Sequence, residues 1–277
     1  MDARCDATVS AQPAIIPIRS REAHVALTQQ PPPMTWGTAP ELVGPRHAYR
    51  IRRLARCLRS AMPAGTILDA GCGAGGLTEL LARMGYSVTA IDESPEFVAY
   101  TRARMDYLGL AHRVHVFQAD LPRASLRPHW FDGAVCGEVL EHLDDDDAAV
   151  RAIAAALRPG GILALTVPAG SDRFGWLDTW AGHRRRYEAA DLRRLIEGNG
   201  LRIDLMVRWG FPFMMLYERF LQGPGLARAG SPGGERSLLA KIARGRATTA
   251  LAGLFHLDEP FDRLSRGTGF LVRARKT

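Results

Sequence analysis

The sequence predicts an α/β fold, a parallel sheet with helices on both faces, and three observations predict it. Short apolar runs bounded by turn residues alternate with stretches of helical periodicity along most of the 277 residues, the pattern of right-handed strand–helix–strand crossovers. The first run leads into the glycine-rich segment Asp69 to Gly76, which opens a helix. Acidic residues Asp69, Asp92 and Asp120 close the first three runs, at the edge where doubly wound sheets gather their ligands.

Taken in order, residues 1–35 lack sustained periodicity and contain Pro31-Pro32-Pro33. They read as a flexible arm, which leaves 36–277 as a single domain. Over 45–62, Ile51, Leu54, Ala55 and Leu58 recur at helical spacing, and Arg50, Arg52, Arg53, Arg56 and Arg59 fall largely on the other faces. Strands are expected at Thr66 to Ala70, Ser87 to Ile91, Val114 to Gln118, Phe131 to Cys136 and Gly161 to Val167. Helices are expected between them at Leu77 to Met84, Pro95 to Leu108 and Asp146 to Leu157. A helix at Ala189 to Glu197, a strand at Leu201 to Val207 and a final strand at Gly269 to Ala274 follow. The last two strands are separated by far more chain than an ordinary connection uses, so about 210–267 reads as a helical insertion, with helices at Phe211 to Leu221 and Leu238 to Phe255.

The net charge of +7 conceals an asymmetry: residues 66–182 carry 9 basic and 16 acidic side chains, and the flanking segments together amount to +14. An acidic centre between basic arms argues against a uniformly basic nucleic-acid coat. Cys5, Cys57, Cys72 and Cys136 show no zinc-type spacing. No metal is therefore expected, and the location expected is a reducing, cytoplasmic one. No secretory signal is legible, and Trp209 to Tyr217 is too short to span a bilayer.

Gly71, Gly73 and Gly76 satisfy G-x-G-x-x-G, which alone fits a dinucleotide site. Asp69 shifts the choice of ligand, because a carboxylate there opposes a pyrophosphate and suits a ligand bearing an ammonium and a sulfonium, as S-adenosylmethionine does. Asp92, 19 residues after Gly73, suits ribose hydroxyls, and Asp120 is placed to accept from an adenine amino group.

These motifs resemble those of the class I S-adenosylmethionine-dependent methyltransferases, over roughly residues 45–210. The carriers are Ile67-Leu68-Asp69-Ala70-Gly71-Cys72-Gly73, Ala90-Ile91-Asp92, Gln118-Ala119-Asp120-Leu121, Phe131-Asp132 through Glu138-Val139-Leu140-Glu141-His142, and Leu157-Arg158-Pro159-Gly160-Gly161. The resemblance is to the broad subgroup holding quinone-biosynthesis and small-molecule enzymes. It implies a Rossmann-like seven-stranded sheet with the last strand antiparallel. It also implies S-adenosylmethionine as cofactor, with Asp69, Gly71, Cys72 and Gly73 at its methionine part, Asp92 and Glu93 at the ribose, Asp120 and Leu121 at the adenine, and Glu138 nearby.

The expected reaction is methyl transfer to a small, anionic metabolite, on oxygen ahead of nitrogen or carbon. Cys136-Gly137-Glu138-Val139 lacks the Asn-Pro-Pro-Tyr type of motif, and a Pro-Cys pair is missing too, so nucleic acid is not expected as acceptor. Gly182-His183-Arg184-Arg185-Arg186-Tyr187 follows the fifth strand. One reading has its arginines and Tyr187 hold the acceptor, with His183 and His142 as candidate catalytic groups. The other has the arginines pair with neighbouring acids and fix the loop. Asp144 to Asp147 read as a helix cap and an acidic first turn. The apolar start of the insertion admits an acceptor lid or a homodimer surface, and its basic second half admits peripheral membrane contact. Two alternatives stand beside the methyltransferase: a nicotinamide-dependent oxidoreductase, resting on the glycine motif and Asp92, and a module that binds the cofactor without catalysis.

Overall fold

In the computed structural model, which describes residues 44–222 and 246–277, seven strands form one sheet in the order β3-β2-β1-β4-β5-β7-β6. The strands are β1 (Thr66–Ala70), β2 (Ser87–Asp92), β3 (Val114–Gln118), β4 (Phe131–Gly137), β5 (Leu157–Pro168), β6 (Leu201–Trp209) and β7 (Gly269–Lys276). β1 to β5 pair in parallel, and β7 runs antiparallel to both β5 and β6, as the sequence leads one to expect. The expected arm at 1–35, the stretch Gly223 to Gly234 and the start of the helix expected at Leu238 to Phe255 lie outside the described residues.

The helices are α1 (Pro45–Ala61), α2 (Gly76–Arg83), α3 (Pro95–Tyr107), α4 (Asp146–Ala156), α5 (Trp176–Ala181), α6 (Ala189–Gly198), α7 (Phe213–Tyr217) and α8 (Arg246–Leu254). Local chemistry sets their starts. Pro45 occupies the first turn of α1, the Ser94 hydroxyl accepts from Phe97 N at 3.1 Å to open α3, and Asp145 accepts from Ala148 N at 2.8 Å to open α4. Period-2 alternation divides the core between the two faces of the sheet. Ile67, Val135 and Ala164 face a cluster with Leu54, Leu58 and Leu81, whereas Leu68, Ala134 and Leu163 face Val150, Ile153 and Ile196.

Three expectations are corrected. β5 begins at Leu157, because Leu157 already pairs with Phe131 of β4. The helix expected from Phe211 is α-helical only over α7 and continues as a wider π turn through Gln222. Arg50 and Arg53 are buried, not on the outer faces of α1. The Arg53 guanidinium meets Tyr49 and Asp262, and the Arg50 guanidinium lies toward Thr166. α1 is covered on two sides, by the sheet and by the returning insertion, so its polar stripe is enclosed with its apolar one. Among the described residues, no helix is long and apolar enough to cross a membrane.

Candidate active site

The strand order reverses between β1 and β4, and the crevice at their carboxyl ends is the site a doubly wound sheet offers. On the β1 side, Gly71 and Cys72 donate their N–H groups to Ile91 O at 2.9 Å, tying the loop to the end of β2. Gly71 and Gly73 both have positive φ, but for different reasons. A Cβ on Gly71 would lie 2.4 Å from Val139 Cγ2, whereas one on Gly73 would enter open space. Gly71 is required by packing, and Gly73 faces the room a ligand needs. The Gly73 N–H donates to Asp92 Oδ2 at 2.9 Å, and Ser94 N donates to the other Asp92 oxygen. Asp69 is buried and accepts from the Thr78 hydroxyl at 2.6 Å. It lines a small cavity with Gly71, Cys72, Gly137, His47 and Arg50.

Asp120 lies beyond β3, half-exposed beside Arg123, and the next backbone N–H before it, that of Ala119, donates to Asp92 O. The structure therefore brings Asp69, Gly73, Asp92 and Asp120 along one edge. Leu121 instead packs into the core, Glu93 is exposed and only its carbonyl is engaged, by Gln118, and burial pushes the Cys72 thiol far up. Room at Gly73, with the Asp69 and Asp92 carboxylates on either side of the turn, fits a ligand that carries an ammonium and ribose hydroxyls.

On the β4 side, Glu138 adopts φ 59, a left-handed conformation uncommon outside glycine. Its carboxylate meets Arg46 Nη2 at 2.9 Å, and Arg46 Nε meets Glu218 at 2.7 Å. Burial would raise the Glu138 pKa, but Arg46 and Arg50 outweigh it and hold the group at about 2. Glu141 differs sharply. It is fully buried, no other residue hydrogen-bonds its oxygens, and burial together with the Glu138 charge raises its pKa well above the carboxylate range.

His183 stands across from Glu141, with Nε2 3.9 Å from Oε1. Its Nδ1 lies 2.8 Å from Asp178 Oδ1. Burial opposes ionisation of Asp178, yet bonds from His183, Arg186 and the Gly175 N–H hold it at about 2, so Asp178 accepts and Nδ1 carries the proton. The His142 ring stacks edge-on at 4.8 Å between centroids, its Nδ1 toward Gly182 O, and burial lowers its pKa. The two sequence-picked histidines thus come together with Glu141 at the carboxyl edge.

The arginines beside them are engaged by the protein. Arg184 pairs with Asp144 and donates to His142 O, Arg185 pairs with Asp146 and donates to Leu143 O, and Arg186 pairs with Asp178. The Tyr187 hydroxyl donates to Asp146 Oδ2 at 2.6 Å. Sequence reasoning passed over Arg46 and His47, placed Arg50 on an outer face, and weighed Asp178 only as a partner for the loop's arginines. The spacing of Arg46, Arg50 and Arg53 at i, i+4 and i+7 on the stripe of Leu54 was the available signal for an inward-facing arginine row.

A reversed strand order with a glycine turn after β1, acids ending the first strands and an antiparallel last strand is an arrangement similar to that of the class I S-adenosylmethionine-dependent methyltransferases. Residues 67–161 match the family model for a methyltransferase domain, and S-adenosylmethionine is the cofactor of that class. The ubiquinone biosynthesis O-methyltransferase of Xanthomonas campestris pv. campestris (strain B100) is 40% identical over 134 residues, 47% of this chain and 55% of the relative. Its counterpart from Xanthomonas axonopodis pv. citri (strain 306) is 39% identical over 132 residues, with the same coverage. The chain spans about half the length of these curated relatives. Among solved structures, a putative sarcosine dimethylglycine methyltransferase from Galdieria sulphuraria superposes with TM-score 0.60 at 17% identity, covering 83% of this chain and 86% of the other. The [4+2]-cyclase SpnF superposes with TM-score 0.59 at 23% identity, covering 83% and 81%.

Proposed function

We propose that the chain transfers the methyl group of S-adenosylmethionine to an oxygen of a small-molecule acceptor. The observation that carries the reading is the meeting, at one sheet edge, of the Asp69–Gly73–Asp92 cofactor cradle with the two imidazoles of His142 and His183. The O-methyltransferases among its relatives support oxygen as the acceptor atom. When bound, S-adenosylmethionine supplies a methyl carbon made electrophilic by the sulfonium. The chain's own residues then have three tasks: Asp69 and Asp92 hold the cofactor, the loop carrying His183 shields the edge from water, and His142 and His183 act on the acceptor hydroxyl. His183 Nε2, whose lone pair is free because Nδ1 donates to Asp178, would take the acceptor hydroxyl's proton, and the bound cofactor would supply its methyl carbon to that oxygen, the electron pair of the carbon–sulfur bond staying on sulfur.

We read Arg184, Arg185, Arg186 and Tyr187 as the clamp that sets the loop on the start of α4, since each is already satisfied by an acid of the protein. Calorimetry with S-adenosylhomocysteine should show binding that Asp92→Ala weakens at least tenfold. Labelled cofactor incubated with a host extract should yield a protein-dependent methylated small molecule. Binding without any labelled product would favour the non-catalytic reading. The fold shared with a [4+2]-cyclase means that the architecture by itself does not dictate the reaction.

A further inference from the structure

We infer that Arg173 and Arg208 form a site for an oxyanion, a carboxylate or a phosphate, and that the group it holds belongs to the methyl acceptor. The assignment to the acceptor rests on the methyl-transfer reading; the anion site does not. Three connections meet here at the carboxyl edge of the sheet. Arg173 follows the end of β5, Arg208 is the last residue but one of β6, and Gly267 precedes β7, which runs antiparallel and so starts at that edge.

Two independent features point to an anion at this place. The first is a convergence of charge without a countercharge. Arg173 Nη1 and Arg208 Nε donate to one oxygen, that of Gly267, at 3.0 and 3.2 Å. Among the described residues neither guanidinium forms an ion pair, whereas Arg184, Arg185 and Arg186 each do. Two like charges on one carbonyl repel unless an anion joins them. Burial and the Arg173 charge lower the Arg208 pKa, and the nearby acids Glu188 and Asp172 only partly offset them. Glu188 is itself occupied, by the Ser171 N–H and hydroxyl.

The second is that the two forks are held in place with donors to spare. Arg208 Nη1 donates to Ser265 O at 3.3 Å, and its guanidinium lies 5.7 Å from the centre of the Phe270 ring. Its Nη2 makes no hydrogen bond among the described residues. Arg173 Nη2 meets only the Met215 sulfur, at 3.8 Å, and a thioether is a weak acceptor. Gly170 leaves room for this arrangement, since at its φ of +85 a Cβ would lie 2.9 Å from Arg208 Nη2.

A planar, weakly hydrated fork of this kind matches the paired oxygens of a carboxylate or a phosphate. The backbone ties the pair to the histidines. Gly170 N donates to Tyr187 O and Ala169 N to Thr268 O, both at 3.0 Å, so the end of β5 lies between the His183 loop and the turn that carries Gly267. An acceptor anchored on the arginine side can present its hydroxyl on the histidine side. Phe174 and Trp176, exposed on the segment that joins Arg173 to His183, offer an apolar surface for the body of the molecule. The sequence conceals the site because its two arginines come from separate elements, whereas Arg184 to Arg186 are consecutive and draw the eye first.

The test uses the full chain with 15N-labelled arginine, titrated with inorganic phosphate and separately with benzoate. Each should shift the Nε–H resonances of Arg173 and Arg208 beyond the effect of sodium chloride at equal ionic strength, and the tighter of the two tells phosphate from carboxylate. Arg173→Gln and Arg208→Gln should each weaken that anion about 10- to 100-fold, as loss of a charged hydrogen bond does. Asp172→Asn, which removes a nearby negative charge, should tighten it about two- to fivefold. Arg208→Lys keeps the charge and loses the fork, so it should recover part of the affinity, and thermal melts show whether any loss reflects a loss of fold. Shifts no larger than those of chloride, or unchanged affinity in folded Arg173→Gln and Arg208→Gln, overturn the site. With labelled cofactor and a host extract, the methylated product should be retained on an anion exchanger. Arg208→Gln should raise the KM for its acceptor about tenfold or more, with kcat and S-adenosylhomocysteine binding little changed. A neutral product overturns the assignment to the acceptor. Anion binding without any labelled product overturns the methyl-transfer reading, and that assignment with it, while the anion site stands.

Discussion

Arg46 Nη2 lies 2.9 Å from Glu138 Oε2, joining the first turn of α1 to the end of β4 across 92 positions of sequence. The pair is mostly buried, and a second acid, Glu218, holds the same guanidinium, so α1, the sheet and the insertion meet at one cation. Breaking a buried pair leaves the other charge uncompensated, which typically costs about 3–5 kcal/mol. Arg46→Met should therefore destabilise the fold by about that amount in urea denaturation. Glu138→Gln should cost less, because Glu218 still partners Arg46.

The same pair gives the acid limb of stability a sign. Burial alone would raise the Glu138 pKa, but Arg46 and Arg50 bring it from the usual 4.5 to about 2 in the folded chain. A depressed folded pKa contributes stability that is fully present above the unfolded value and is lost as pH falls through the folded one. The stability gap between wild type and Glu138→Gln should be constant above about pH 5 and should shrink between 4.5 and 2. Denaturation midpoints across that range check it; a gap that widens on acidification contradicts the pairing.

What was legible in the sequence follows from how local each feature is. The acids at the ends of β1 and β2 and the glycine turn between Asp69 and Gly76 are set by a strand-to-helix pattern within a few residues, and they fell where expected. Arg46 was passed over, and Arg50 and Arg53 were placed on outer faces, because the partners of the three, Glu218, Thr166 and Asp262, are 116 to 209 positions away. An amphipathic pattern alone sends arginine to solvent. Asp178 was weighed only as a partner for arginine; that it also orients His183 depends on the six-residue helix α5, too short for periodicity to reveal.

Gly71 and Gly73 should part company on mutation. An alanine at Gly71 would have to displace Val139, whose Cγ2 would stand 2.4 Å away, at a φ of +81. Gly71→Ala is expected to lower the thermal midpoint by several degrees. At Gly73 the φ of +49 adds strain of about 1–2 kcal/mol, but the new methyl enters open space. Gly73→Ala should therefore melt close to wild type while losing affinity for S-adenosylhomocysteine by an order of magnitude or more, read by calorimetry. Equal loss of stability in both would show that Gly73 serves the turn alone.

The clamp between the His183 loop and α4 is tested at Tyr187. Its hydroxyl donates to Asp146 Oδ2 at 2.6 Å, and Arg185 Nη1 sits 3.0 Å from the same oxygen. Removing a hydrogen bond to a charged acceptor costs about 1.5–3 kcal/mol, so Tyr187→Phe should lower stability by roughly that much. Arg184→Ala should cost less than about 1 kcal/mol, because Arg184 and Asp144 are both exposed. If the loop's arginines instead held the acceptor, Arg184→Ala would raise the acceptor KM with stability unchanged. If they clamp the loop, Tyr187→Phe and Arg186→Ala should lower kcat by loosening the frame of His183, in step with their loss of stability. The ratio of KM change to stability change across Arg184→Ala, Arg186→Ala and Tyr187→Phe decides between the two roles.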